Sequence, residues 1–153
     1  MKVEGKKIWI IGAAKSGLAA AKLLHKHGAN IFVSDAGRIE QATKDALSEL
    51  GIRFEENGHS LEKLLEESQM VVLSPSVPLS WPLPLAIRRA GIPIVSEIEV
   101  GSWFIPSSAS IVGITGTNGK STTTHYCAQL FALGQRNSVA CGNYGRALCD
   151  AIL

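Results

Sequence analysis

The chain has 153 residues, 46% apolar and 18% charged, with a formal net charge of +2. That apolar share buries a sizeable core and excludes a disordered chain, while the interspersed charge and the 6% aromatic content exclude a basic, stacking nucleic-acid surface. No apolar run reaches the ~20 residues of a membrane span, and the short one between Lys7 and Gly12 does not make a signal peptide. The three cysteines, Cys127, Cys141 and Cys149, are odd in number and lack CxxC spacing, so they read as buried or half-buried free thiols of a cytoplasmic protein.

In chain order, the apolar run "KIWIIG" (Lys7 to Gly12) predicts a buried strand, and the spacing of Leu18, Ala21 and Leu24 predicts a helix from Ser16 to His27, stopped by Gly28. "NIFVSD" (Asn30 to Asp35) is a second strand, Ile39 to Gly51 a second helix, and Ile52 to Phe54 a weak third strand. A short helix over Leu61 to Glu67 leads to the strand "MVVLS" (Met70 to Ser74). The loop "SPSVPLSWPLP" has too many prolines for helix or ladder. A helix over Leu85 to Ala90, a strand over Ile92 to Glu97 and a helical turn over Glu99 to Trp103 complete the series. Continuous rather than alternating apolar strands, separated by helices, predict a Rossmann-like parallel sheet covered on both faces, an α/β class.

"IPSSAS" (Ile105 to Ser110) reads as a linker, after which the pattern restarts: strand Ser110 to Thr115, loop, helix Lys120 to Leu133, strand Ser138 to Gly142 and a helix beginning at Arg146. The expected organisation is a first domain over 1–104, a linker over 105–110, and the beginning of a P-loop α/β ATPase domain over 111–153. With so few strands, that second part should bury little core and be mobile, or lean on the first domain or another chain.

Two glycine-rich loops carry the chemistry. Gly12-Ala13-Ala14-Lys15-Ser16-Gly17 follows the first strand and opens the first helix, the setting in which helix amides meet a phosphate. Gly12, Ala14, Lys15 and Ser16 form the turn, and Asp35 ends the second strand, where an acidic residue meets a ribose hydroxyl or ring N–H. Ala14 occupies the second glycine position of the dinucleotide fingerprint, so three readings stay open on these residues: NAD(P), another nucleotide, or tight-turn glycines alone. The second loop, Gly113 to Thr122, reads GITGTNGKST. Ile114 stands where the strict P-loop has glycine, yet the mechanics survive. Gly116, Thr117, Asn118 and Gly119 curl amides around phosphate oxygens, Lys120 reaches the β/γ-phosphates, and Ser121, followed by Thr122, offers Mg²⁺ a hydroxyl.

"TGTNGKST" after its strand resembles the ATP loop of the Mur ligases, the amide-forming enzymes of peptidoglycan precursor synthesis, and the resemblance spans the whole chain in order. "IIGAAKSGLA" is similar to the UDP-binding turn of the D-glutamate-adding branch, "VSD" to its uracil position, "LSPSVP" (Leu73 to Pro78) and "IPIVSEIE" to family segments, and "GNYG" (Gly142 to Gly145) to a loop that touches the muramoyl substrate. The resemblance implies a UDP-substrate site at Gly12, Ala14, Lys15, Ser16, Asp35, Ser74, Pro75, Ser76 and Asn143. It also implies ATP and Mg²⁺ as cofactors, a catalytic Lys120, and Ser121 as a metal ligand. The implied reaction is ATP-dependent addition of D-glutamate to UDP-N-acetylmuramoyl-L-alanine through an acyl phosphate, by an enzyme monomeric at full length, with neither nucleic acid nor membrane as partner.

Ser76, Tyr144 and the pair Ala36-Gly37 depart from the family pattern. Further active-site residues of the family fall beyond the match, so the chain is expected to be an N-terminal part without ligase activity of its own. The alternatives are the sister ligase that adds L-alanine, whose first turn reads closer to GxGGxGMS, and a non-catalytic nucleotide or NAD(P) module. The remaining side chains have plainer expected roles. His25 and His27 suit a helix C-terminus, His59 lies in solvent, and His125 is packing or surface. Trp81, Trp103, Phe104 and Phe131 are core or interdomain contacts, and Glu97 and Glu99 favour the start of their own helix.

Overall fold

A computed structural model describes residues 2–143 and 145–153; the departure at Tyr144 lies outside the described residues. Five parallel strands form one sheet: β1 (Lys7–Ile11), β2 (Asn30–Ser34), β3 (Arg53–Glu55), β4 (Met70–Leu73) and β5 (Ile94–Val95), in the order β3-β2-β1-β4-β5. The helices between and after them are α1 (Lys15–Lys26), α2 (Gln41–Glu49), α3 (Leu61–Glu67), α4 (Pro82–Arg89) and α5 (Glu97–Ser102), followed by α6 (Lys120–Leu133) and α7 (Leu148–Ile152).

The two-residue period of the strands divides the core into two layers. Ile8 and Ile10, Ile31 and Val33, and Met70 and Val72 join the layer of α1, while Trp9 and Ile11, Phe32, and Val71 and Leu73 join Leu64 of α3 and Ile87 of α4. Both faces are therefore dry, which is why these strands show no alternation of polar residues.

Several expectations are corrected. α4 begins at Pro82 rather than Leu85, because a proline at the first helical position removes only an amide that would have no partner there. β5 is confined to Ile94–Val95. The segments 110–115 and 138–142 form no strands: a strand exists only through a neighbour's hydrogen bonds, and Ile111, Val112 and Val139 are instead exposed. α6 forms where expected, but none of its described residues is buried. Trp81 is 55% exposed and Phe131 is exposed at the surface, whereas Trp103 and Phe104 pack on the core as expected. His27 caps α1 and stacks on Phe104 with centroids 4.0 Å apart, pinning the chain just after α5. The last segment folds back: Ala147 and Cys149 join the core layer of α1, and α7 packs on α1 and α5.

Candidate functional site

In an open parallel sheet a ligand belongs at the carboxyl ends of the strands, where the chain order reverses. That point lies between β1 and β4, since β2 follows β1 to one side and β4 lies on the other. The first glycine turn sits there. Gly12 has a φ of +100°, its amide donates to the Ser34 carbonyl at 2.8 Å, and a Cβ on it would come within 2.7 Å of Ser74 Cβ. A Cβ on Gly17 would lie 1.8 Å from the Gly12 carbonyl oxygen, so α1 rests directly on the turn. α1 has no side-chain cap; Ala14 and Lys15 at its start are exposed and Ser16 is half-buried. Its first amides lack helical partners, and with the Lys15 ammonium they favour an anion.

Asp35 is already engaged. One carboxylate oxygen accepts from the Ala13 amide at 2.7 Å and the other from the Gly37 amide at 2.8 Å. The glycine turn is thus held by the acidic residue that sequence reasoning assigned to a ligand, and Gly37, one of the family departures, contributes an amide to that carboxylate. On the other side, Ser74 donates its amide to Ile11, and its Oγ lies 2.9 Å from Ser76 Oγ, with Pro75 exposed between them. The structure therefore brings Gly12, Asp35, Ser74 and Ser76 to one edge. Asn143 is exposed beside Gly142, whose amide donates to the Arg146 carbonyl at 2.8 Å.

Behind Asp35 is a network that the sequence did not reveal. The fully buried Ser34 donates through Oγ to Glu55 at 2.7 Å and lies 2.6 Å from His59 Nδ1. His59 is half-buried, not in solvent, because the loop over 55–60 closes on β2. The hydroxyl sits between imidazole and carboxylate and is inaccessible, so the trio is not a nucleophilic triad. It fixes the loop whose Gly58 amide donates to the Asp35 carbonyl at 3.2 Å. Burial opposes ionisation of Glu55, but bonds from Ser60 and Ser34 outweigh it and hold the carboxyl below its ordinary value. The partners are separated by more than twenty residues, and only the serine at a strand end hinted at them.

The second loop opens α6. Gly119, at φ +75°, is its N-cap residue, and Lys120 folds back so that Nζ donates to the carbonyls of Gly116 and of Thr117, the latter at 3.2 Å. Thr117, Asn118, Ser121 and Thr122 are exposed. An ammonium over a glycine loop at an uncapped helix start has the charge and donors that suit a phosphate. The donor set fits ATP phosphates; for Mg²⁺, Ser121 supplies one hydroxyl, and no cluster of three His, Cys, Asp or Glu suited to a metal occurs among the described residues. A cavity of about 550 Å³ lies at the opposite end of the sheet beside Lys7, Asn30 and Arg53, away from both loops.

Comparison with known proteins bears on both loops. Residues 7–80 match the model of the MurD N-terminal domain. The UDP-N-acetylmuramoylalanine–D-glutamate ligase of Christiangramia forsetii is 38% identical over 97% of this chain and 33% of its own length, and that of Geobacillus sp. strain WCH70 is 41% identical over 96% and 32%. The chain thus spans about a third of the length of these curated relatives. Among solved structures, a murein peptide ligase from Psychrobacter arcticus superimposes with a TM-score of 0.62 at 23% identity, covering 86% of this chain and 27% of that one. The UDP-N-acetylmuramate:L-alanyl-γ-D-glutamyl-meso-diaminopimelate ligase from Neisseria meningitides gives 0.60 at 23% identity, over 85% and 40%; both show a shared fold.

Proposed function

Since the chain belongs to the Mur ligase family through its MurD N-terminal domain, we propose that it binds UDP-N-acetylmuramoyl-L-alanine at the first glycine turn and ATP at the second. In this reading the whole enzyme adds D-glutamate in cytoplasmic peptidoglycan precursor synthesis. Residues 1–104 form the UDP-substrate domain, 105–110 the linker, and 111–153 the start of the ATPase domain. The observation that carries the reading is that one chain holds an anion-ready turn at the sheet's switch point and a lysine-bearing phosphate loop.

The uncapped start of α1, with Lys15 and Ser16, receives the diphosphate. Asp35 exchanges its bond to Ala13 or Gly37 for one to the uracil ring, and Ser74, Pro75, Ser76 and Asn143 face the sugar. A carboxylate is a poor acyl donor because its leaving group would be oxide; transfer of the γ-phosphoryl of ATP converts it to an acyl phosphate. The amine of D-glutamate then attacks, the amide forms and phosphate leaves. Lys120 turns from the Gly116 and Thr117 carbonyls to the transferring phosphoryl and offsets its charge, while Ser121 and Thr122 orient phosphate and Mg²⁺. Mg²⁺, when bound, neutralises phosphate charge. These residues supply only part of that machinery, so turnover is not expected from them alone, and phosphate release requiring both ATP and D-glutamate would overturn that expectation.

Calorimetric titration tests the substrate assignment. UDP and UDP-N-acetylmuramoyl-L-alanine should bind and NAD(P)H should not, and Asp35→Ala should weaken UDP about tenfold, or ~1.4 kcal/mol. Tight NAD(P)H binding abolished by Asp35→Ala would sink the reading.

A further inference from the structure

Glu97 is a buried carboxylate, 6% exposed, in the first turn of α5. It stands at the start of its own helix as the sequence predicts, while the side-chain cap comes from Ser96, which accepts the Glu99 amide through Oγ at 3.2 Å. Glu97 reaches out instead: its Oε1 accepts the amide of Cys149 at 2.6 Å, and its backbone carbonyl accepts the Cys149 thiol at 3.4 Å. Cys149 is the second residue of α7, whose N-cap residue, Ala147, has no side-chain oxygen to cap it. A carboxylate from some fifty residues earlier takes that role, with the helix dipole in its favour.

α5 is shaped for this contact. Gly101, one helical turn after Glu97, leaves the space that Leu148 fills; a Cβ there would lie 2.7 Å from Leu148 Cγ. From α7 the bonding continues back along the chain. The Arg146 guanidinium donates to the Asp150 carbonyl at 2.7 Å, and the Arg146 carbonyl accepts the Gly142 amide, fixing the turn that carries Asn143.

We propose that Glu97 is a positioning residue: it latches α7 to the first domain and thereby sets Asn143 for the muramoyl part of the substrate. The second half of this statement rests on the proposed function. UDP alone needs only the first glycine turn and Asp35, whereas UDP-N-acetylmuramoyl-L-alanine also needs Asn143. Loss of the latch separates the two ligands.

The cysteines provide the readout, since Cys149 is fully buried, with its thiol pushed up by burial, and Cys127 is half-buried on α6. Labelling the 153-residue chain with a disulfide-exchange reagent, resolved by peptide mass, should show Cys149 modified at least about tenfold faster in Glu97→Ala, with Cys127 unchanged. Glu97→Gln, which keeps an acceptor oxygen, should restore most of the protection. In titration, Glu97→Ala should weaken UDP-N-acetylmuramoyl-L-alanine about tenfold and leave UDP unchanged. Leu148→Ala loosens the same contact from the other side and should reproduce both effects should Glu97→Ala fail to fold. Cys149 staying protected in the variants overturns the latch. Faster labelling with unchanged affinity for the full substrate overturns the positioning role. If the parent chain binds neither UDP compound, the substrate reading fails, and labelling still decides the latch.

Discussion

The two glycine loops follow the same local recipe, a glycine-rich turn opening a helix, but they stand on different foundations. The first is seated among the buried β1, β2 and β4, and a missing side chain decides its contacts: Gly12 lies against Ser74, and Gly17 against Gly12. The second leads into α6, where no described residue is buried, and its lysine is satisfied by the loop's own carbonyls. Tertiary packing shapes the first turn, while local backbone geometry alone shapes the second. A helix of this kind takes most of its stability from a packed face, and α6 leaves Tyr126, Leu130 and Leu133 exposed.

Mutation can break this contrast. Trp9→Ala, which empties a fully buried position whose ring lies tilted against Phe32 with centroids 4.2 Å apart, should cost about 3–5 kcal/mol in denaturant unfolding. Acid probes the loop behind Asp35 more gently. Glu55 is held below its ordinary value of 4.5, so the stability it confers is present above that value and is lost as pH falls through the lowered one. Midpoints measured between neutral and acid pH should fall below that value, and Glu55→Gln should flatten part of the loss. At the small end, Leu130→Ser, at a position 67% exposed, should change the unfolding free energy by less than about 0.5 kcal/mol. A large loss there would show that α6 is packed after all and remove the contrast.

The first region was legible because its signals are local and agree with one another. "KIWII", "NIFVS" and "MVVL" are apolar throughout, helical stripes separate them, and Gly28 and Gly51 mark the stops. The expected strands at 110–115 and 138–142 rested on the same kind of apolar run, but a run specifies a strand only when a neighbour completes its ladder. At the site, Gly12, Asp35 and Ser74 could be read individually, since glycine and acid positions relative to a strand end have chemical meaning. The pairings Asp35 to Ala13, Ser34 to His59, and Glu97 to Cys149 could not, because each depends on where distant segments land. Glu97 does stand at the start of its helix as its place in the sequence predicts, but its distant partner could not be read there.

The strand order has a consequence for folding. β1 pairs with β2 across a short crossover, but its pairing with β4, Ile8 against Met70, joins residues more than sixty positions apart. Closing so long a loop carries a large entropic cost before any contact rewards it, so this pairing is expected late in folding. The contact of Gly12 with Ser74 at the switch point does not exist until that step is complete. Under the proposed assignment, a uridine nucleotide added during refolding would recognise only chains in which β4 had docked on β1, and its binding signal would time that pairing rather than the first collapse.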